Sequence, residues 1–147
     1  MDRRAFLSCS GKTCAGLGLG LFLNTWLLES CSSSLSIVKT KQEQGWVAVP
    51  LTNFNQSDFA MVRVKDFPFD LGIQKKAENT FLAMVLMCPH GRQPLTKTNS
   101  GYFCTQHGSK FSKTGDLLKG PSARGLFDLP YIVEDGLLKI QIEKFEG

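Results

Sequence analysis

Histidine is almost absent from this chain: its 147 residues include two, His90 and His107. Cysteine is nearly as sparse. Of five, Cys9, Cys14 and Cys31 fall in the N-terminal leader, which leaves Cys88 and Cys104. Beyond the leader, therefore, every thiol and every imidazole lies between residues 88 and 107, and no other stretch could build a soft-ligand or imidazole metal site. Clustered basic charge is also missing. The formal net charge is +4 with the lysines spread along the chain, which argues against a nucleic-acid-binding face and for a solvated surface. From Trp46 onward no long run of apolar residues at helical spacing is present either, so an α-helical domain is not expected.

The concentrated stretch reads Cys88-Pro89-His90, thirteen further residues, then Cys104-Thr105-Gln106-His107. Thiolates suit iron–sulfur clusters, zinc and copper(I), and imidazole suits iron, zinc and copper. Two cysteines with two histidines could form a tetrahedral zinc site, or a two-iron cluster with two thiolates on one iron and two imidazoles on the other. Spacing bears on the choice. Structural zinc sites usually pair Cys with Cys and His with His. Here each short segment mixes one of each, as two loops would if both reached over two irons and gave each iron one ligand.

Cys-x-His followed by Cys-x-x-His-Gly resembles the motif of the Rieske proteins. The likeness runs over about residues 45–147, through His107-Gly108-Ser109-Lys110-Phe111, Gly115, Gly120-Pro121 and Leu129-Pro130-Tyr131. It implies one 2Fe–2S cluster. Cys88 and Cys104 would hold the buried ferric iron, and His90 and His107 the outer iron that cycles between ferrous and ferric. The free imidazole nitrogens would face solvent and couple proton to electron. Ser109 resembles the serine that donates to a bridging sulfide in high-potential members, and Gly120-Pro121 the proline loop that covers the cluster. Two features depart from those members. Gln93 and Gln106 stand at or near the places of a disulfide pair, and Phe111 stands where they carry a tyrosine bonded to a ligand sulfur. Both departures imply an intermediate or low potential within the Rieske range of about −150 to +300 mV.

Met1-Asp2-Arg3-Arg4-Ala5-Phe6-Leu7 sets paired arginines before an apolar run over residues 15–28. A basic start before such a run is expected of an export signal. The paired arginines resemble a twin-arginine signal, although Asp2 is not the Ser or Thr of that pattern. The run is shorter than the roughly twenty residues of a membrane span and contains Asn24, though Rieske proteins often keep the signal as an anchor. Leu28-Glu29-Ser30-Cys31 resembles a lipoprotein processing box, with Glu29 atypical, and Cys31 is the expected lipidation site. Residues 1–31 are thus read as an export signal. Residues 32–44 are small, charged and amide residues, read as a flexible tether, and residues 45–147 as the cluster domain.

From Trp46 onward the pattern is of strands. Trp46–Val49, Phe59–Val64 and Thr80–Met87 are short β-branched and aromatic runs. Gly101–Phe103 would deliver Cys104. Phe111 and Leu117-Leu118 flank the turn at Thr114-Gly115-Asp116, and Tyr131–Val133 and Leu137–Ile142 flank Glu134-Asp135-Gly136. Many short strands at close spacing predict an all-β fold. The expected form is a Rieske-type antiparallel β-sandwich or barrel with a cluster-binding subdomain of two loops.

The functional expectation is one-electron transfer by an exported, membrane-tethered protein. Its partners would be redox proteins or a membrane-bound oxidoreductase complex, with no nucleic acid. One alternative is the Rieske subunit of a larger enzyme, either a quinol–cytochrome c reductase or a periplasmic molybdenum oxidase like arsenite oxidase; the missing cysteines and Phe111 count against the first. Another alternative is a zinc-binding structural or interaction domain. Nothing in the sequence suggests a substrate pocket or a mononuclear iron site, so the chain is not expected to be an enzyme on its own.

Overall fold

Alternation of buried and outward side chains marks strands with one face inward at both ends of the described chain. In Trp46–Pro50, Val47 and Val49 are fully buried while Ala48 and Pro50 are exposed. The structure, a computed structural model, describes residues 37–145. The expected export signal, the start of the tether and the lipidation candidate Cys31 lie outside the described residues.

Fifteen strands follow in order: β1 (Ile37–Thr40), β2 (Gln42–Glu43), β3 (Trp46–Pro50), β4 (Phe59–Val64), β5 (Leu71–Ala77), β6 (Thr80–Val85), β7 (Met87–Cys88), β8 (Gln93–Pro94), β9 (Thr96–Thr98), β10 (Gly101–Phe103), β11 (Lys110–Ser112), β12 (Leu117–Lys119), β13 (Phe127–Leu129), β14 (Tyr131–Glu134) and β15 (Leu137–Gln141). One 3-10 turn, Leu51–Phe54, separates β3 from β4. Among the described residues no helix is long and apolar enough to cross a membrane.

The strands make a base and a lobe. In the base, a five-stranded sheet of order β1-β4-β5-β6-β13 packs on a four-stranded sheet of order β14-β15-β3-β2. Val47, Val49, Val62, Ile73, Val85, Leu138 and Ile140 fill the space between them. Burying such a side chain is worth roughly 1.5–3 kcal/mol. In the lobe, the sheet β12-β11-β10-β9 and the hairpin β7-β8 enclose a second core of Met61, Met84, Leu86, Cys88, Tyr102, Cys104 and Phe111.

The two cores share a wall. Along β6, Phe81, Ala83 and Val85 belong to the base core, and Met84, followed by Leu86, belongs to the lobe core. A strand covered on both faces reads as an unbroken apolar run, which is why residues 80–87 lack alternation. Gly72 on β5 is a point of close approach. A Cβ there would come within 2.8 Å of the Leu86 side chain and 3.1 Å of the Tyr102 hydroxyl.

Three expectations need correction. The stretch 32–44 is not all tether: β1 pairs with β4 and β2 with β3, and Val38 packs against the base core. Main-chain pairing at a sheet edge, which composition does not report, holds these polar residues. The base is not wholly antiparallel, because β1 runs parallel to β4. The run 80–87 is not one strand, since β6 ends at Val85 and β7 begins at Met87. The Leu86 amide donates to the Asp70 carbonyl at 2.9 Å while the Leu86 carbonyl accepts from Leu95 at 3.0 Å, so the chain passes from base to lobe at this residue. β5, central to its sheet, was not expected, because Gly72 and the lysines at its end break the apolar pattern.

Candidate metal centre

Two hairpins deliver the four candidate ligands. The turn between β7 and β8 carries Pro89 to Arg92, closed by the Arg92 amide donating to the Cys88 carbonyl at 2.9 Å. The turn between β10 and β11 carries Cys104 to Ser109. There the Gly108 amide donates to the Cys104 carbonyl at 3.0 Å, and the Cys104 amide to the Ser109 carbonyl at 2.9 Å. Both loops are therefore fixed at their necks by main-chain bonds, and each offers a cysteine at its base and a histidine at its tip.

Burial separates the two ligand types. Cys88 and Cys104 are each 1% exposed, and both are free thiols set in the lobe core beside Phe111 and Tyr102. His90 and His107 are exposed, with ring centroids 4.9 Å apart and planes nearly perpendicular. The structure thus brings all four expected residues into one region, with sulfur inside and imidazole at the surface. Among the described residues no three His, Cys, Asp or Glu side chains converge on one point. Two buried thiols and two surface imidazoles, one of each on either loop, are the donor types that a two-iron cluster of mixed ligation takes from its protein.

The residues expected around the ligands divide as follows. Ser109 is fully buried, and its hydroxyl oxygen accepts the Ser122 backbone N–H at 3.0 Å. That is its only hydrogen bond among the described residues, so the hydroxyl proton remains free to donate. Phe111 is 1% exposed and has no polar atom to offer. Gly120-Pro121 is a cis peptide on the third loop, which joins β12 to β13. Gln93 is turned onto its own loop, its amide donating to the Gly91 carbonyl at 3.2 Å, and Gln106 is exposed.

Sequence reasoning missed Ser122. Its amide binds Ser109, its hydroxyl donates to the Arg124 carbonyl at 2.9 Å, and it is 5% exposed. It ties the third loop to the second. A short polar residue directly after Gly-Pro was the available signal. Tyr102 was also missed. Burial pushes its phenol up to about 12, so it stays neutral two residues before Cys104. Lys97 lies 4.5 Å over the Phe59 ring, and its amine is held below the usual lysine range, first by burial and then by Lys113.

The Rieske [2Fe-2S] domain family matches residues 45–133. This chain belongs to the Rieske family. One Rieske-type 2Fe–2S cluster is accordingly its cofactor, and electron transfer through that cluster its chemistry. No curated protein sequence matches the chain. Solved structures share its fold. Naphthalene 1,2-dioxygenase is 14% identical at a TM-score of 0.52, over 69% of this chain and 27% of that one. The complex of reduced oxygenase and oxidised ferredoxin in carbazole 1,9a-dioxygenase contains a chain 20% identical at 0.50, over 71% of this Rieske chain and 100% of that one. The plasma-membrane Rieske protein of the cyanobacterium Synechocystis PCC 6803 is 19% identical at 0.49, over 62% and 93%.

Proposed function

We propose that this protein shuttles single electrons between redox partners, exported and tethered to a membrane. Cys88 and Cys104 hold the inner iron of the cluster, and His90 and His107 hold the outer one. The observation that carries this reading is the division of burial. Both thiols lie at 1% exposure inside the lobe while both imidazoles stand at the surface. When bound, the cluster accepts and releases one electron. The lobe core keeps water from the thiolates, the two necks fix the loop spacing, and the exposed imidazoles are where a partner can approach. Neutral imidazoles in place of two thiolates leave the cluster less negative and so easier to reduce.

Electron paramagnetic resonance on the purified, dithionite-reduced chain tests the ligand set. A rhombic signal with an average g below the free-electron value is expected, lost in His107→Ala. A silent sample that contains zinc overturns the reading. Tethering is supported by the basic and apolar leader and by Cys31 at its end. In a membrane fraction, Cys31→Ser releases the protein if lipid at Cys31 is the anchor and leaves it bound if the leader is.

A further inference from the structure

The basic charge that looks scattered along the sequence is segregated in the fold. Residues 87–126, the lobe, contain six Lys and Arg and a single acid, Asp116, whereas the rest of 37–145 contains eight Lys and Arg and nine Asp and Glu. Ion pairing is divided the same way. The pairs Lys41–Glu43, Arg63–Asp70 and Lys139–Glu134 all lie in the base, and among the described residues no lobe cation is in one. The one acid, Asp116, is kept ionised by hydrogen bonds from the Ser112 and Thr114 hydroxyls and offsets only one of the six positive charges.

Two lobe cations lie over aromatic rings: Lys97 over Phe59, and Arg124 over Phe127 at 4.1 Å. The other four are exposed: Lys113 on the turn between β11 and β12, and three that stand one beside each loop around the candidate centre. Arg92 sits two residues after His90, Lys110 directly after Ser109, and Lys119 directly before Gly120-Pro121. Lys110 and Lys119 are cross-strand partners on β11 and β12. Like charges directly opposite each other are destabilising, and no carboxylate offsets this pair among the described residues. Between Lys119 and Leu117 the register slips, which leaves Leu118 in the bulge at 64% exposure, the most exposed large apolar side chain described. Leu118 and Lys110 line one shallow depression with Phe103, the residue before Cys104.

We propose that this face, Leu118 with Lys110 and Lys119 beside it and Arg92 on the neighbouring ligand loop, is the docking surface for a redox protein that presents carboxylates around its own centre. The proposal rests on the electron-transfer reading above. Complementary charge steers such a partner and sets its orientation, and Leu118 supplies the apolar contact. Mounted beside Phe103 and Ser109, the surface brings the partner against the ligand loops.

The test is stopped-flow oxidation of the reduced, full-length protein by two small probes, anionic ferricyanide and cationic tris(phenanthroline)cobalt(III). Each probe takes one electron as ferrous iron becomes ferric. The ferricyanide rate is expected to fall as ionic strength rises, and the cobalt rate to rise. Lys110→Glu with Lys119→Gln, which sets a carboxylate on β11 and removes the like-charge pair, is expected to slow ferricyanide about tenfold at low ionic strength with the resonance spectrum unchanged. Lys75→Glu, on the base, is expected to change it less than twofold. Poly-L-glutamate is expected to slow ferricyanide oxidation of the native protein and not of the double variant. Equal effects from the lobe and base substitutions overturn the proposal. So does binding to phosphatidylglycerol vesicles that the double variant abolishes while its ferricyanide rate stays native, which would assign the patch to lipid. A native protein without the Rieske resonance signal overturns the electron-transfer reading itself, and the docking proposal with it.

Discussion

The Ser109 hydroxyl oxygen accepts the backbone N–H of Ser122 at 3.0 Å, wholly inside the protein. One side chain thereby fastens the loop after Gly120-Pro121 to the loop that carries Cys104 and His107, and still has a proton to give. Ser109→Ala should have two effects. It strands the Ser122 amide, at a cost of about 1–3 kcal/mol, read by urea unfolding. If the free hydroxyl proton points to the cluster, as the family resemblance implies, the same change also removes a donor that favours the reduced state. A charge-assisted bond of about 1.5 kcal/mol corresponds to about 60 mV for a one-electron couple, so the midpoint should drop by about that much. An unchanged midpoint would show that the hydroxyl serves the loop alone.

Phe111 carries no hydroxyl and packs in the same core as both thiols. The native midpoint should therefore lie below about +200 mV, under the upper part of the Rieske range. Phe111→Tyr should raise it by about 40 mV, the equivalent of about 1 kcal/mol, and lower stability if the new hydroxyl finds no partner. Redox titration decides both points, and a native value above about +200 mV contradicts the first.

Gly101 holds φ at +149° opposite Ser112, and a Cβ there would overlap the Phe111 carbonyl. Gly101→Ala should cost about 3 kcal/mol or more, in the range of severe backbone and packing defects. Because β10 positions Cys104, the same variant should assemble less cluster, read from its visible absorbance per protein.

Tyr102 gives a signature in alkali. An unfolded tyrosine ionises near 10 and the buried one near about 12. Between those values the unfolded chain loses the proton and the folded chain keeps it. Stability should be intact below about pH 10 and decline as pH rises toward about 12, by at most about 2.7 kcal/mol. Tyr102→Phe should lack this component when unfolding is followed across that window, and equal declines in both proteins would rule it out.

A chain that begins at Gly45 should be less stable by about 1–3 kcal/mol and more prone to associate. It loses β1, uncovers the edge of β4 and forgoes the packing of Val38; a bare strand edge invites pairing with another chain. Thermal melts and light scattering at several concentrations would show this, and a native melting temperature without β1 would restore the tether reading for residues 37–44.

The sequence by itself named the candidate ligand set and determined the all-β class and most strands. Two Cys-His pairs in a chain otherwise empty of both residue types outside its leader leave few alternatives, and turn residues such as Asp135-Gly136, both at positive φ, mark hairpins locally. Tertiary structure decided the rest. β1 and β2 exist because neighbouring edges supply hydrogen bonds that no side-chain pattern announces, and β5 because β4 and β6 pair with both its edges. Ser122 matters only because the third loop folds back onto Ser109. The separation of buried sulfur from exposed imidazole comes from packing the lobe on the outer face of the five-stranded sheet. Folding likewise gathers cations that are spread along the chain into one lobe, because Arg92 on the first loop and Lys110 and Lys119 at the strand ends beside the other two stand around one region.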